Sequence, residues 1–293
     1  MIAKAELHVH LEGTAPPELV GRIAARNGLP VPDGLLDDAE RFRYDGFLHF
    51  LRAYDSAASV IRTAEDYRDI TYEYLRSCAA EGAIYVELTA SPDHAGLVGL
   101  SDDEHLAGVA QGIDDARVHG IEGRILISAV RNFGVEQALR VARHAAERPH
   151  PYVVGFSMAG AEVGYPADMF AQAYAIAADA GLGCTVHAGE WDGPESERGI
   201  VLECCPTSNV VLGVYRSYAE HPLRQLADAG VRLTLGSDDP PYFGATIGGE
   251  YEVARAQLGF DEAELRAMTA TAIDAAFCED RLKEMLRDRL ARR

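Results

Sequence analysis

Short apolar, β-rich runs alternate with longer amphipathic stretches along almost the whole chain, and this alternation constrains the fold more than any other feature. Strands separated by helix-length segments run parallel, because antiparallel neighbours need only a tight turn between them. The strand candidates are 5–10, 83–89, 124–130, 152–158, 183–188, 200–204 and 231–236. Helical patterns fill 64–80, 102–118, 135–146, 167–180 and 223–229, and a C-terminal helical region runs over 261–292. The pattern predicts an α/β fold, a (β/α)8 TIM-type barrel closed by C-terminal helices, in a single domain over 1–293. Residues 16–64 read as a helical insertion after the first strand, carrying Phe42, Tyr44, Phe47, Phe50 and Tyr54. Those aromatics are either a lid over a site or core-facing rings at helical spacing.

One spacing breaks the pattern. Most later strands start roughly 28 to 41 residues apart, as βα units require, but only about a dozen residues separate His187 from Ile200. The stretch between Glu190 and Ile200 is too short for a crossover helix, so one βα unit is missing there. Two explanations stand: a segment omitted from the sequence as read, or a truly shortened chain. Closure of an eight-stranded barrel favours the first, because strand number, tilt and shear are linked.

Composition narrows the partners. With 27 basic against 46 acidic residues the formal charge is −19, which repels nucleic acid and anionic membranes and leaves a small neutral or cationic ligand as the expected partner. No apolar run reaches the length of a signal sequence or a membrane span, so a cytoplasmic location is expected. The five cysteines, Cys78, Cys184, Cys204, Cys205 and Cys278, have no CxxC spacing and suggest neither a disulfide framework nor a thiolate metal site.

Chemistry gathers where strands end. In an extended segment residues i and i+2 share a face, so Glu6-Leu7-His8-Val9-His10 can aim both imidazoles at one point. Far downstream, His187 ends another strand and is followed by Glu190, and Asp238-Asp239 follow the last. Each alone has an ordinary reading: a backbone-bonded histidine pair, a buried histidine, a carboxylate turn. Together, three imidazoles and a carboxylate form a mixed N/O set suited to zinc with coordination left for water. Only Lys4 and Lys283 occur in the chain, neither at a strand's C-terminal end, so a binuclear centre bridged by a modified lysine is disfavoured and one metal ion is expected.

His8-Val9-His10-Leu11-Glu12-Gly13, Ser157-Met158-Ala159-Gly160-Ala161-Glu162, His187-Ala188-Gly189-Glu190, Cys205-Pro206-Thr207-Ser208-Asn209 and Ser237-Asp238-Asp239-Pro240, in this order, resemble the adenosine deaminase family of metal-dependent amidohydrolases. The resemblance implies that His8, His10, His187 and Asp238 hold one zinc ion, which activates a water. It implies that Glu190 protonates N1 of a purine, that Asp239 orients the ring through N7, and that Gly160 offers a backbone group to N3. The implied reaction is hydrolytic deamination of a 6-aminopurine to the 6-oxo product and ammonia.

Two departures qualify it. Glu12 stands where nucleoside deaminases of the family usually carry aspartate for the sugar 5′ hydroxyl. The Ala-Gly-Ala-Glu segment at 159–162 nevertheless resembles the nucleoside pattern, so the expected substrate is a purine nucleoside, adenosine or a 5′-modified form such as aminodeoxyfutalosine. Adenine deamination is the alternative. The second departure is the absence of the family's Gly-His-Gly strand, whose histidine orients the attacking water. His49, His94, His105, His119, His144, His150 and His221 all fall elsewhere, and His94 reads as a loop histidine. If the unit is truly deleted, the expectation is a protein that keeps its metal but deaminates poorly or is a silent binder.

Overall fold

The computed structural model describes residues 2–162, 164–187 and 201–292. Glu190 and the junction of the missing βα unit lie outside them. Five parallel strands form one curled sheet in the order β1 (Lys4–Glu6), β2 (Ala83–Ala90), β3 (Glu122–Val130), β4 (Val153–Ala159) and β5 (Gly183–Cys184). A parallel pair, β6 (Val201–Cys204) and β7 (Arg232–Leu235), continues the wall. The two sheets join through the chain beyond β1: Val9 bridges Asp238, and His10 bridges Thr89. This is the α/β barrel expected from the alternation, with neighbours consecutive in sequence. Regular pairing along β1 stops sooner than the 5–10 run suggests. The extended chain is then held by His10 N–H donating to the Asp238 carbonyl at 3.0 Å and Leu11 N–H to Thr89 at 2.8 Å.

Helices cover the outside: α1 (Pro17–Arg26), α2 (Phe47–Ala58), α3 (Ala64–Ala80), α4 (Pro92–Leu97), α5 (Asp102–Ala116), α6 (Val135–Glu147) and α7 (Ala171–Asp179), then α8 (Pro206–Val211), α9 (Leu223–Asp228), α10 (Pro240–Phe243), α11 (Ile247–Leu258), α12 (Glu262–Ala275) and α13 (Asp280–Ala291). Capping boxes start several of them: Thr63 with Asp66 at α3, Ser101 with Glu104 at α5, and Asp261 with Glu264 at α12. The short helices α4, α8 and α10 were not evident from periodicity, each being too brief to show a repeat. Each begins with proline at its first position, where the missing N–H costs nothing. Among the described residues no helix is long and apolar enough to cross a membrane.

The 16–64 segment contributes α1 and α2 joined by a long connection, and its aromatics pack into the core. Phe42 stacks on Tyr242 with ring centroids 4.0 Å apart, and Phe50 is buried against Phe243 at 5.1 Å. Phe47, Phe50 and Tyr54 also line a cavity over the C-terminal ends of the strands.

Candidate metal centre and purine pocket

The strand ends bring His8, His10, His187 and Asp238 together, with one ligand-type atom from each lying within 4.8 Å of all the others. The Nε2 atoms of His10 and His187 are 3.0 Å apart, and Asp238 Oδ1 lies 3.4 Å from His10 Nε2 and 3.7 Å from His8 Nε2. His8 and His10 reach one point because they are two apart on extended backbone, and Asp238 joins them because its N–H donates to the His8 carbonyl at 3.2 Å. Asp238 takes up a left-handed backbone, φ 63°, an uncommon conformation for a side-chain-bearing residue and one concentrated at functional sites.

Two of the imidazoles are oriented from behind. His187 Nδ1 donates to the Met158 carbonyl at 2.8 Å, and His8 Nδ1 faces Glu203 Oε2 at 3.2 Å. Both leave Nε2 for the cluster. Ser208 donates to Asp238 Oδ2 at 2.6 Å, leaving Oδ1 turned to the histidines. Burial would raise the Asp238 carboxyl, but the hydrogen bond from His10 and the adjoining imidazoles outweigh it and hold the group well below the usual carboxylate range. Burial, reinforced by His8 and His10, pushes His187 far below the ordinary imidazole value. It is therefore a neutral imidazole with a lone pair to offer. A neutral His187 imidazole and an ionised Asp238 carboxylate are the protonation states a divalent cation requires of such ligands, and the N/O donor set of the cluster fits a single metal ion.

His10, His187 and Asp238 of the cluster line a cavity of about 300 Å³. Glu12, Tyr54, His94, Asn132, Gly160 and Asp239 are among its other walls. Glu12 is 2% exposed, with Oε1 accepting the Ser91 N–H at 3.0 Å and Oε2 accepting the Tyr54 hydroxyl at 3.2 Å. Gly13 leaves room for Asp239. A Cβ there would lie 1.7 Å from Asp239 Oδ1, so the missing side chain is the space that Asp239 occupies. Gly160 has φ 98°, and a Cβ on it would meet Asn132 Oδ1 at 2.5 Å. Asn132 in turn accepts the Ala161 N–H at 2.9 Å, fixing the Gly160 turn at the cavity wall.

Several contributors escaped sequence reasoning. His94 is not a loop histidine: it sits on α4, nearly buried, with Nε2 3.0 Å from Asp55. The fully buried Arg131 donates to the His187 carbonyl at 2.6 Å, clamping that strand end. Glu203 and Ser208 orient two of the four clustered side chains. For Glu203 the signal was an acid interrupting the apolar run Val201-Leu202-Glu203-Cys204, and Ser208 lies in the Cys-Pro-Thr-Ser-Asn motif.

A family model described as adenosine deaminase matches the chain in two stretches, residues 3–198 and 195–293. They meet at the junction where the strand spacing is short. An adenine deaminase of Agrobacterium fabrum is 43% identical over 321 aligned residues, covering 99% of this chain and 98% of the relative. That alignment is longer than the 293-residue chain, so the relative has residues without a counterpart here. Among solved structures, an adenine deaminase from Arthrobacter aurescens superposes with a TM-score of 0.91 at 28% identity, covering 100% of this chain and 99% of that one. An amidohydrolase from Burkholderia ambifaria with bound zinc gives 0.85 at 25% identity, covering 100% and 93%.

Proposed function

Given that the chain belongs to the adenosine deaminase family, whose reaction here is deamination of an aminopurine, we propose that it holds one zinc ion and converts free adenine and water to hypoxanthine and ammonia. The observation that carries the choice of adenine is Glu12. Its two oxygens already accept the Ser91 N–H and the Tyr54 hydroxyl, so a sugar hydroxyl would have to compete with these bonds for the remaining lone pairs of a buried carboxylate. The adenine deaminases similar along the whole chain support the same reading. Among the described residues the cavity walls set the carboxylates of Glu12, Asp55, Asp238 and Asp239 against the single guanidinium of Arg52, which disfavours a phosphorylated substrate. On this reading the free base displaces the nucleoside that the 159–162 segment suggested.

His8, His10, His187 and Asp238 are the metal ligands in this proposal. A zinc ion bound there supplies Lewis acidity toward water at neutral pH. Asp239 holds the N7 edge of the purine, and the turn at Gly160 lets main chain approach N3 where a side chain would not fit. Glu190, three residues past His187, delivers the proton to N1 that makes C6 electrophilic.

The test is a panel of adenine, adenosine and 5′-deoxyadenosine with zinc-loaded protein, followed by the change in purine absorbance. Adenine is expected to show the highest kcat/KM, and a preference for either nucleoside overturns the reading. Glu190→Gln is expected to abolish turnover while zinc remains bound; undiminished turnover removes Glu190 from the proton-donating role.

A further inference from the structure

We propose that Glu203 is a positioning residue of the metal centre, holding the His8 imidazole in the tautomer and orientation that turn Nε2 toward the cation. The inference rests on the metal-binding reading of His8, His10, His187 and Asp238. Its carrying observation is the 3.2 Å contact between Glu203 Oε2 and His8 Nδ1, made between side chains only 16% and 18% exposed.

A neutral imidazole has one N–H and one lone pair, and it ligates only through the nitrogen without the proton. A carboxylate can only accept, so its approach to Nδ1 fixes the N–H there and leaves the lone pair on Nε2. That nitrogen is the one 3.7 Å from Asp238 Oδ1, inside the cluster. The contact spans 195 residues of sequence. It is set by the register of β6 on β7, in which Glu203 lies opposite Thr234, and by the main-chain bond that ties Asp238, just beyond β7, to His8. His187 receives the same service from a neutral carbonyl, that of Met158. Glu203 differs in adding a negative charge one imidazole away from the cation, which strengthens the ligand's basicity as well as its aim.

The test compares full-length wild-type protein with Glu203→Leu, Glu203→Ala and Glu203→Gln. Two readouts are used: Zn²⁺ affinity by competition with a chromophoric chelator, and the ¹⁵N spectrum of the His8 imidazole in metal-free protein. Loss of the carboxylate in the Leu or Ala variant is expected to weaken zinc binding by about 10- to 100-fold and to move the His8 proton toward Nε2. The Gln variant retains an acceptor for Nδ1–H and should recover most of the affinity and the wild-type tautomer. Unchanged zinc affinity and an unchanged His8 tautomer in whichever of the Leu and Ala variants folds overturn the proposal, as does a Gln variant no better than they are. Wild-type protein that fails to bind Zn²⁺ overturns the metal reading instead, and the tautomer measurement then still decides whether Glu203 governs His8.

Discussion

Replacing Gly13 by alanine tests the most sharply defined steric relation in the pocket. The added Cβ would lie 1.7 Å from Asp239 Oδ1, 2.8 Å from its Cγ and 2.9 Å from Tyr54 Cε2. Ordinary contacts need about 3.5 Å between carbons and slightly less to oxygen, so the Asp239 carboxylate must retreat by well over an ångström. It has little room to do so, because Asp239 is buried and its carbonyl accepts the Tyr242 N–H at 3.0 Å at the start of α10. A misplacement of about 1 Å in a substrate-positioning group costs on the order of 100-fold. The expected result is a fall of that size in kcat/KM for adenine, with a stability loss of about 1–3 kcal/mol from overpacking. Zinc affinity should hold, because Asp238 is anchored separately by Ser208 and by the His8 carbonyl. Gly21→Ala is the control: no heavy atom lies within 4 Å of that Cβ position in α1, so activity should be unchanged and stability should rise by about 0.5–1 kcal/mol. A Gly13→Ala enzyme with unaltered kcat/KM would refute the placement of Asp239 against the substrate.

Two further perturbations probe the pocket's closed end and the barrel interior. Tyr54→Phe removes the hydroxyl that engages Glu12 Oε2, freeing one acceptor for a sugar hydroxyl. The adenosine-to-adenine ratio of kcat/KM should rise about 10-fold, the worth of one hydrogen bond to a charged group, and an unmoved ratio counts against Glu12 as the selector. Glu87 is fully buried, and burial pushes its carboxyl up to about 7 despite hydrogen bonds from the Tyr85 hydroxyl and the Phe277 N–H. The folded protein therefore keeps a proton that the unfolded chain gives up near pH 4.5, and unfolding free energy falls as pH climbs from there through 7. Glu87→Gln should remove a penalty on the order of 3 kcal/mol at pH 8 and very little at pH 4.5. Urea midpoints of the two proteins that differ equally at both pH values would contradict this.

What the chain discloses before folding is what local geometry dictates. The period-two spacing of His8 and His10 and the apolar runs of β2, β3 and β4 need only backbone alternation to be recognised. The long helices α3, α5 and α6 carry their repeat and, for the first two, their caps in plain sequence. Glu203, Tyr54 and Arg131 lack any such signature, because their partners lie 195, 42 and 56 residues away and meet them only through barrel register. The aromatic insertion was ambiguous for a physical reason: Phe50 packs on Phe243 and lines the cavity at once, so neither burial nor function alone accounts for it. The run 183–188 illustrates a different limit. Its apolar character marks a strand, yet regular pairing covers only Gly183–Cys184 and is extended by Thr185 N–H to the Phe156 carbonyl at 3.1 Å and His187 N–H to the Met158 carbonyl at 3.5 Å, with β5 pairing with β4 alone among the described residues.

That one-sided pairing leads to the last prediction. β5 pairs only with β4, and β6 only with β7, among the described residues; the family match divides between them, and the Agrobacterium alignment exceeds the chain in length. All ten histidines are described, and only His8, His10 and His187 enter the cluster. The others are committed elsewhere, His94 to Asp55, His119 to Tyr72 and His221 to Asn209 among them. The sequence carries no Gly-His-Gly segment to supply an imidazole that orients the attacking water, a role for which a positioned general base supplies about 10²- to 10⁴-fold. A protein whose intact mass is 31.7 kDa should therefore bind zinc and turn over adenine slowly. Grafting a βα unit that bears the Gly-His-Gly segment between Gly199 and Ile200 should raise kcat by about 10²- to 10⁴-fold with zinc affinity unchanged, and changing the grafted histidine to alanine should cancel the gain. A graft that folds cooperatively but brings no increase, or one whose alanine variant is equally fast, would show that the missing strand closes the barrel without supplying the base.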